Sequence, residues 1–358
     1  MTYDFLIIGG GIAGVSLAAQ LAAQGHTLLL EAEPVLAHHA SGRSAALYEP
    51  HYGKPTVVAL SLASGDDFRA MPGVLSPRGL MIVAQEHEAE LFHAECAAME
   101  MTLISVDQAI AQVPILNPSK LAHAAIAEHA WDIDTDLLLQ GYARGARRQG
   151  AEILPNSRVT AIARLPKGWQ VTTATGTHIA RILINAAGAW VDQIANLAGL
   201  KPLGFQPLRR SMARIPAPGG RDTSRWPMIF GVGETWYAKP DAGALIVSPA
   251  EEHAMDPHDA WADDMVLAEG LARYEDMVTE PVTRLLSNWA GLRTFSPDRV
   301  PVIGYAPSEP AFFWLAGQGG YGFQTAPAAA KLAASLITGN TPDLNEDLVA
   351  ALSPARFA

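Results

Sequence analysis

The residues Tyr3-Asp4-Phe5-Leu6-Ile7-Ile8-Gly9-Gly10-Gly11-Ile12-Ala13-Gly14 decide how this chain folds. An apolar run ends in three glycines and a helical pattern continues to Gln24. Gly25 stops it, and a second apolar run, Leu28-Leu29-Leu30, closes on Glu31. The order is strand, glycine turn, helix, strand. In the spacing Gly9-x-Gly11-x-x-Gly14 the first glycine makes a tight turn, the second lets a pyrophosphate approach the backbone, and the third lets helix and sheet pack closely. The helix start offers free N–H groups and the positive end of its dipole to phosphate oxygens. Glu31 stands where a carboxylate receives the ribose hydroxyls of an adenosine. The motif announces a dinucleotide and does not separate FAD from NAD.

Composition narrows the rest. A chain of 358 residues suits two domains, or one large α/β domain carrying an insertion. Hydrophobic residues make up 49%, yet no run approaches the roughly 18 apolar residues of a membrane span, so no transmembrane segment is expected. The glycine motif follows Met1 almost at once with no basic leader, which points to a cytoplasmic location. A net charge of -11 and a pI near 5.4 argue against nucleic acid, whose phosphates need a basic stripe. The single cysteine, Cys96, excludes intramolecular disulfides and thiolate metal clusters, and its alanine-rich setting makes it a core residue.

Beyond Glu31 the loop from Ala32 to Arg43 holds His38-His39 and Ser41-Gly42, then runs into Ser44-Ala45-Ala46, where a helix start close to a ligand is expected. Neighbouring histidines point apart in most backbones and no third ligand lies near in sequence, so no metal is expected. Glu49, Pro50, His51 and Tyr52 concentrate polar and aromatic groups beside the cofactor segment, and Tyr52 is expected to line an active site. Leu80 to Val83 predicts a strand and Glu86 to Met101 an acidic helix. Asp132 to Gln149 predicts a longer helix capped within Asp134-Thr135-Asp136. Strands follow at Ala151-Ile153, Val159-Ala163, Gln170-Thr173 and His178-Ile184, the last meeting small residues at Asn185-Ala186-Ala187-Gly188-Ala189-Trp190. From Phe205 to Val247 the pattern has period two, which predicts an antiparallel layer. Near the end, Phe312 to Gly317 leads through Gln318-Gly319-Gly320-Tyr321-Gly322 into an alanine-rich helix. A nicotinamide domain does not need this second glycine-rich junction. A flavoprotein uses one to set a helix N-terminus against the flavin pyrimidine, where reduction leaves negative charge, so FAD is the expected cofactor.

The expected fold class is α/β: an FAD-binding Rossmann-like domain of the glutathione-reductase type with an inserted α+β substrate domain on a mostly antiparallel sheet. The expected division is 1–72, 133–204 and 288–358 for the cofactor, and 73–132 and 205–287 for the substrate.

Seven segments, Ile7 to Gly14, Ser41 to Ala46, Asn185 to Trp190, Gln206 to Ser211, Tyr237 to Gly243, Trp289 to Phe295 and Gln318 to Thr325, together resemble the D-amino acid oxidase superfamily of FAD enzymes. Within it the likeness is greatest to the bacterial D-arginine dehydrogenases and covers nearly the whole chain. The resemblance implies cofactor contacts from Gly9, Gly11, Ile12, Ala13 and Gly14, from Glu31 and Ala32, and from Ser41, Arg43, Ser44, Ala45 and Ala46. It adds Val159, Ala187, Gly188, Trp190, Gly291 and Arg293, with Gly319, Gly320, Tyr321, Gly322, Phe323 and Gln324 at the end of the chain. It also implies a substrate carboxylate gripped by Arg209 and Arg293 with the hydroxyls of Tyr52 and Tyr237. Gly320 and Gln324 would lie near the substrate and Met228 on the pocket wall.

Two positions depart from those relatives. Leu80 stands where they carry a glutamate for a cationic side chain, and Leu47 where they carry a histidine. A guanidinium would lose water there without gaining a partner, which favours a neutral or apolar D-amino acid. No cysteine lies near the C-terminal cofactor segments, so the FAD is expected to be non-covalent. The expected reaction is hydride transfer from Cα to FAD, giving an imino acid and then a 2-oxo acid, with oxygen or a quinone as acceptor. Glycine, an N-methyl amino acid or an α-hydroxy acid in the same pocket is the alternative, and a non-catalytic binding protein on this scaffold the rival of another class. His51 and Glu49 are candidates to bias the protonation of the amine, and a monomer or weak dimer is expected.

Overall fold

The computed structural model describes residues 2–358. Its opening strand Thr2–Ile8 pairs in parallel with Thr27–Leu30 on one side and Gly176–Asn185 on the other. Glu152–Leu154 extends the parallel core beyond Thr27–Leu30, and Glu309–Ala316 extends it beyond Gly176–Asn185. The antiparallel strands Val159–Leu165, Gly168–Thr173 and Val302–Ala306 complete an eight-stranded sheet. Phe5, Ile7 and Leu29 pack into one apolar cluster with the helices Ile12–Leu21, Thr135–Arg148 and Gly322–Thr338, while Leu6, Ile8, Leu28 and Leu30 pack into another on the opposite side. Burial on both faces explains why these strands read as unbroken apolar runs. Each fully buried Leu or Ile contributes about 1.5–3 kcal/mol.

The second sheet has nine strands and is mixed: Met228–Gly231 runs parallel to Leu80–Ala84, and its other pairings are antiparallel. Its longest pairing joins Gln206–Pro216 to Ser287–Phe295 over nine residue pairs. The boundary expected at 288 therefore falls inside a strand of this sheet. A three-stranded sheet of Leu47–Tyr48, Trp131–Ile133 and Leu75–Pro77 lies at the crossings between the two.

Most expected elements appear with shifted ends. The first helix stops at Leu21 and turns to Gly25. Asp134 caps Thr135–Arg148 by accepting the Leu137 N–H at 2.8 Å, but Asp132 and Ile133, expected in that helix, belong to the strand Trp131–Ile133. Ser44-Ala45-Ala46 starts no helix: a short 3₁₀ turn, Ala40–Arg43, precedes it and the backbone then extends into Leu47–Tyr48. Pro55–Ala63 and Glu346–Leu352 are helices that the apolar spacing did not announce. Cys96 is buried, and burial pushes its thiol up to about 12, leaving it inert at neutral pH. No helix among the described residues is long and apolar enough to cross a membrane.

Candidate active site

Two cavities of about 310 and about 210 Å³ share walls at Gly11, Ser41, Arg43, Gly188 and Gly291, so they are two ends of one cleft. The cleft opens at the carboxyl ends of the parallel strands and is roofed by the second sheet. In open α/β sheets ligands bind at such strand ends.

The larger end is built on the first glycine turn. A Cβ on Gly14 would overlap the Gly9 carbonyl oxygen, which is why helix and strand can pack so closely only with glycine there. At Gly11 a Cβ would meet only the Ser41 hydroxyl at 3.1 Å, so the space beyond is free for a ligand. Ser41 Oγ accepts the Ile12 N–H at 3.0 Å, and the following N–H groups of the first turn have no intrahelical partner. The Glu31 carboxylate lies in the wall and accepts the Gly10 and Glu33 N–H groups at 2.6 and 2.8 Å. Ala32, Val159, Ala187 and Trp190 line the same end. Arg43 lines both ends and also pins its loop to the second sheet through the Ala290 carbonyl at 2.9 Å, and to the Ala260 carbonyl at 2.7 Å.

The structure corrects the premise that no third group lies near the histidine pair. Glu33 Oε1 is 3.2 Å from His39 Nε2, and one donor atom from each of Glu33, His38 and His39 falls within 4.8 Å of the others. The same Glu33 oxygen accepts Arg158 at 2.8 Å, and Asp259, which faces both imidazoles, is paired with Arg43. Both carboxylates beside the histidines are thus already paired with a guanidinium.

At the smaller end the walls come from Ser44, Ala45, Ala46, Leu47, Tyr52, Leu80 and Met228, with Tyr237 and the turn Gln318-Gly319-Gly320. Gly322, Phe323 and Gln324 follow at the helix start, while Tyr321 stands behind the wall with its ring 5.3 Å from that of Tyr52. Half-buried Lys239 donates to the Ala46 carbonyl at 2.8 Å and pairs with Asp132 at 2.9 Å, fixing the extended Ala45-Ala46 backbone. Gly320 has a steric cause: a Cβ there would overlap the Arg293 guanidinium.

Three expected residues do not line the cleft, Gly14, Tyr321 and Arg209, and of these Arg209 was expected to grip the substrate. Arg209 turns away and meets Glu251 at 3.7 Å, Asp263 at 3.6 Å and His253 at 3.3 Å. Arg210 takes the position instead. Side chains alternate faces along a strand, and Arg210 is registered opposite Gly291 while Leu208 is opposite Arg293. Arg210 and Arg293 therefore share a face, and Arg209, opposite Leu292, takes the other. The period-two pattern carried this signal, since Arg210 and Met212, two apart, both line the cleft.

Arg210 and Arg293 are both largely buried, and Glu234, also missed in the sequence, stands between them and the aromatics. Glu234 accepts the Tyr52 hydroxyl at 2.5 Å and lies 3.7 Å from Arg210, on a backbone with φ 51°. Burial pushes the phenols of Tyr52 and Tyr237 above the ordinary tyrosine range, so both remain protonated donors. Four buried polar atoms of cleft-lining residues have no hydrogen-bond partner among the described residues: Glu49 Oε2, Thr294 Oγ1, Gln318 Nε2 and Arg210 NH2, the last lying 3.6 Å from Glu252 Oε1. Buried polar groups are almost always paired, so such atoms mark where ligands complete the site. The long cleft, the bare Gly11 and these orphans fit a dinucleotide running from Glu31 to the turn at Gly320.

Known proteins match along the whole length. Hydrogen cyanide synthase subunit HcnC of Pseudomonas aeruginosa is 24% identical, covering 99% of this chain and 96% of its own. The crystal structure of L-proline dehydrogenase from P. horikoshii has a TM-score of 0.85 at 22% identity, covering 99% of this chain and 98% of its own. That of glycine oxidase from Geobacillus kaustophilus has a TM-score of 0.83 at 21% identity and covers 98% of each chain. The family model described as FAD dependent oxidoreductase matches residues 4–336. FAD is accordingly the dinucleotide that fits this cleft, and the chain belongs to the DAO family of FAD-dependent oxidoreductases.

Proposed function

We propose that this chain oxidises the Cα–N bond of a free amino acid, D-configured and with a neutral or apolar side chain, to an imino acid that hydrolyses to the 2-oxo acid. The observation that carries this reading is the convergence of Arg210, Arg293, Tyr52 and Tyr237 on one wall of the cleft beside Gly320. Two guanidinium groups in a largely dry site suit a carboxylate, since charge-assisted bonds of this kind contribute roughly 1.5–3 kcal/mol each. The neutral phenols of Tyr52 and Tyr237 can donate to the same carboxylate, Tyr52 by exchanging its Glu234 partner for the substrate.

Gly9, Gly11 and the first helix turn would hold the FAD pyrophosphate, Glu31 its ribose, and Ser44 to Ala46 with Gly319 to Gln324 its flavin end. Bound there, FAD supplies a two-electron acceptor for hydride. The protein's share is to fix the carboxylate so that Cα is presented in one orientation, and to exclude water with apolar side chains. Leu47, Leu80, Met228 and Phe230 make that wall, and Leu80 and Met228 sit side by side in register. A hydrocarbon side chain gains about 0.8 kcal/mol per buried CH₂ against such a wall, whereas a cationic one is desolvated.

Glycine or a secondary amine is the second reading, favoured by the structural likeness to a glycine oxidase and to an L-proline dehydrogenase. Anaerobic mixing of the yellow holoprotein with D-amino acids, L-amino acids, glycine, sarcosine and 2-hydroxy acids distinguishes them by which compound bleaches the flavin. Air admitted afterwards shows whether oxygen is the acceptor.

A further inference from the structure

Glu49 is a buried carboxylate in the cleft wall that the carboxylate grip does not use. It is 2% exposed and lies between Leu47 and Tyr52. Its backbone N–H donates to Gln324 Oε1 at 3.3 Å, and Gln324 Nε2 donates to the Tyr52 carbonyl at 3.4 Å, so Glu49 is fixed to the start of the helix Gly322–Thr338, which lines the flavin end. Oε1 accepts from His129 Nε2 at 3.0 Å and from the His51 N–H at 3.0 Å. Oε2 is buried with no partner among the described residues. A carboxylate oxygen kept from water without a donor is costly, and the cost is relieved when a ligand brings an N–H. An amino acid whose carboxylate sits at Arg210 and Arg293 brings such a group on its nitrogen.

We propose that Glu49 accepts the proton that the substrate ammonium must lose before its Cα–H bond can be oxidised. The inference rests on the amino-acid reading above. One N–H bond breaks, its electron pair stays on nitrogen as the lone pair of the neutral amine, and the proton forms an O–H bond at Glu49 Oε2. His129 is a positioning residue: it holds Oε1, and its imidazole, 37% exposed, links the pair to solvent. The titratable groups facing Glu49 are His129, His51 and Tyr48, with Glu100 beyond His51 at 3.6 Å. Burial pushes the Glu49 carboxyl above the usual carboxylate range, while His129 and His51 pull it partly back. A base raised toward neutrality matches an ammonium better than an ordinary carboxylate does.

The test is anaerobic flavin reduction followed in native, Glu49→Gln, Glu49→Asp and His129→Asn holoproteins across pH, with an amino acid that bleaches the native flavin. At neutral pH Glu49→Gln is expected to be about a hundredfold slower, within the usual range for a lost general base. The native-to-variant ratio is expected to shrink as pH passes the ammonium's own pKa, because the amine then arrives already neutral. Glu49→Asp is expected to recover part of the rate. His129→Asn is expected to move the acid limb of the native profile to higher pH, which a merely structural contact would not do. A ratio that stays constant with pH, or an acid limb that does not move in His129→Asn, overturns the proposal. Native flavin that no amine reduces overturns the amino-acid reading and this proposal with it, whereas native reduction beside an unaffected Glu49→Gln overturns the proposal alone.

Discussion

Replacing Arg210 by alanine leaves a substrate carboxylate facing Arg293 alone in a largely dry wall. Breaking a buried charge pair costs about 3–5 kcal/mol, and each 1.36 kcal/mol is about tenfold, so kcat/KM is expected to fall by two to three orders of magnitude. Arg293→Ala is expected to do the same. Arg209→Ala is expected to act differently, because its partner Glu251 is buried and has no hydrogen bond to either carboxylate oxygen. Thermal stability should drop while the folded fraction keeps its KM. Measuring Tm and KM on all three variants separates the roles, and an Arg209→Ala protein with normal Tm and raised KM would return the grip to Arg209. Leu80→Glu is expected to move preference from D-methionine toward D-arginine, read as the ratio of kcat/KM values under one acceptor. A native protein that already prefers D-arginine tenfold would contradict the apolar-wall reading.

At the scale of elements, the two glycines of the first turn should respond in opposite ways. Gly11 has an ordinary backbone, φ −78°, and faces open cleft, so Gly11→Val is expected to lose flavin while the apoprotein stays folded. Gly14 abuts the Gly9 carbonyl, so Gly14→Val is expected to unfold the βαβ unit itself. Flavin content and circular dichroism of the two variants check this. The strand, turn and helix here were legible because tight packing leaves a periodic, glycine-marked trace in sequence. The choice between Arg209 and Arg210 was not, since it depends on the register of Gln206–Pro216 against Ser287–Phe295, a strand remote in sequence, and is set by the whole second sheet. Glu234 was hidden for a related reason: it reaches the cleft only through a left-handed backbone between Gly233 and Thr235, and short polar turns carry no periodicity. Glu49 stood out as a polar residue, but its partner His129 is remote in the chain.

Over the whole molecule, the C-terminal turn is tied back near the cleft sheet by Arg356, which donates to Asp298 at 2.7 and 3.1 Å. Burial would raise the Asp298 carboxyl, but Arg356, Ser296 and the Val300 N–H outweigh it and hold the pKa at about 2. A depressed folded pKa gives stability that is present above the ordinary carboxylate value of about 3.9 and is lost as pH falls toward about 2. The Tm difference between native and Asp298→Asn is therefore expected to be constant above about pH 5 and to narrow on acidification. A difference that widens would mean that Asp298 is not the group responsible. The two sheets otherwise meet at the cleft, where one brings the dinucleotide turn and the other the guanidinium wall. The claim that this meeting makes an amino-acid oxidising site is tested most directly by anaerobic spectral titration of the holoprotein. Bleaching of the flavin by apolar D-amino acids, lost in Arg210→Ala, is the expected result; a flavin left fully oxidised by every amino acid and amine in the panel would contradict it.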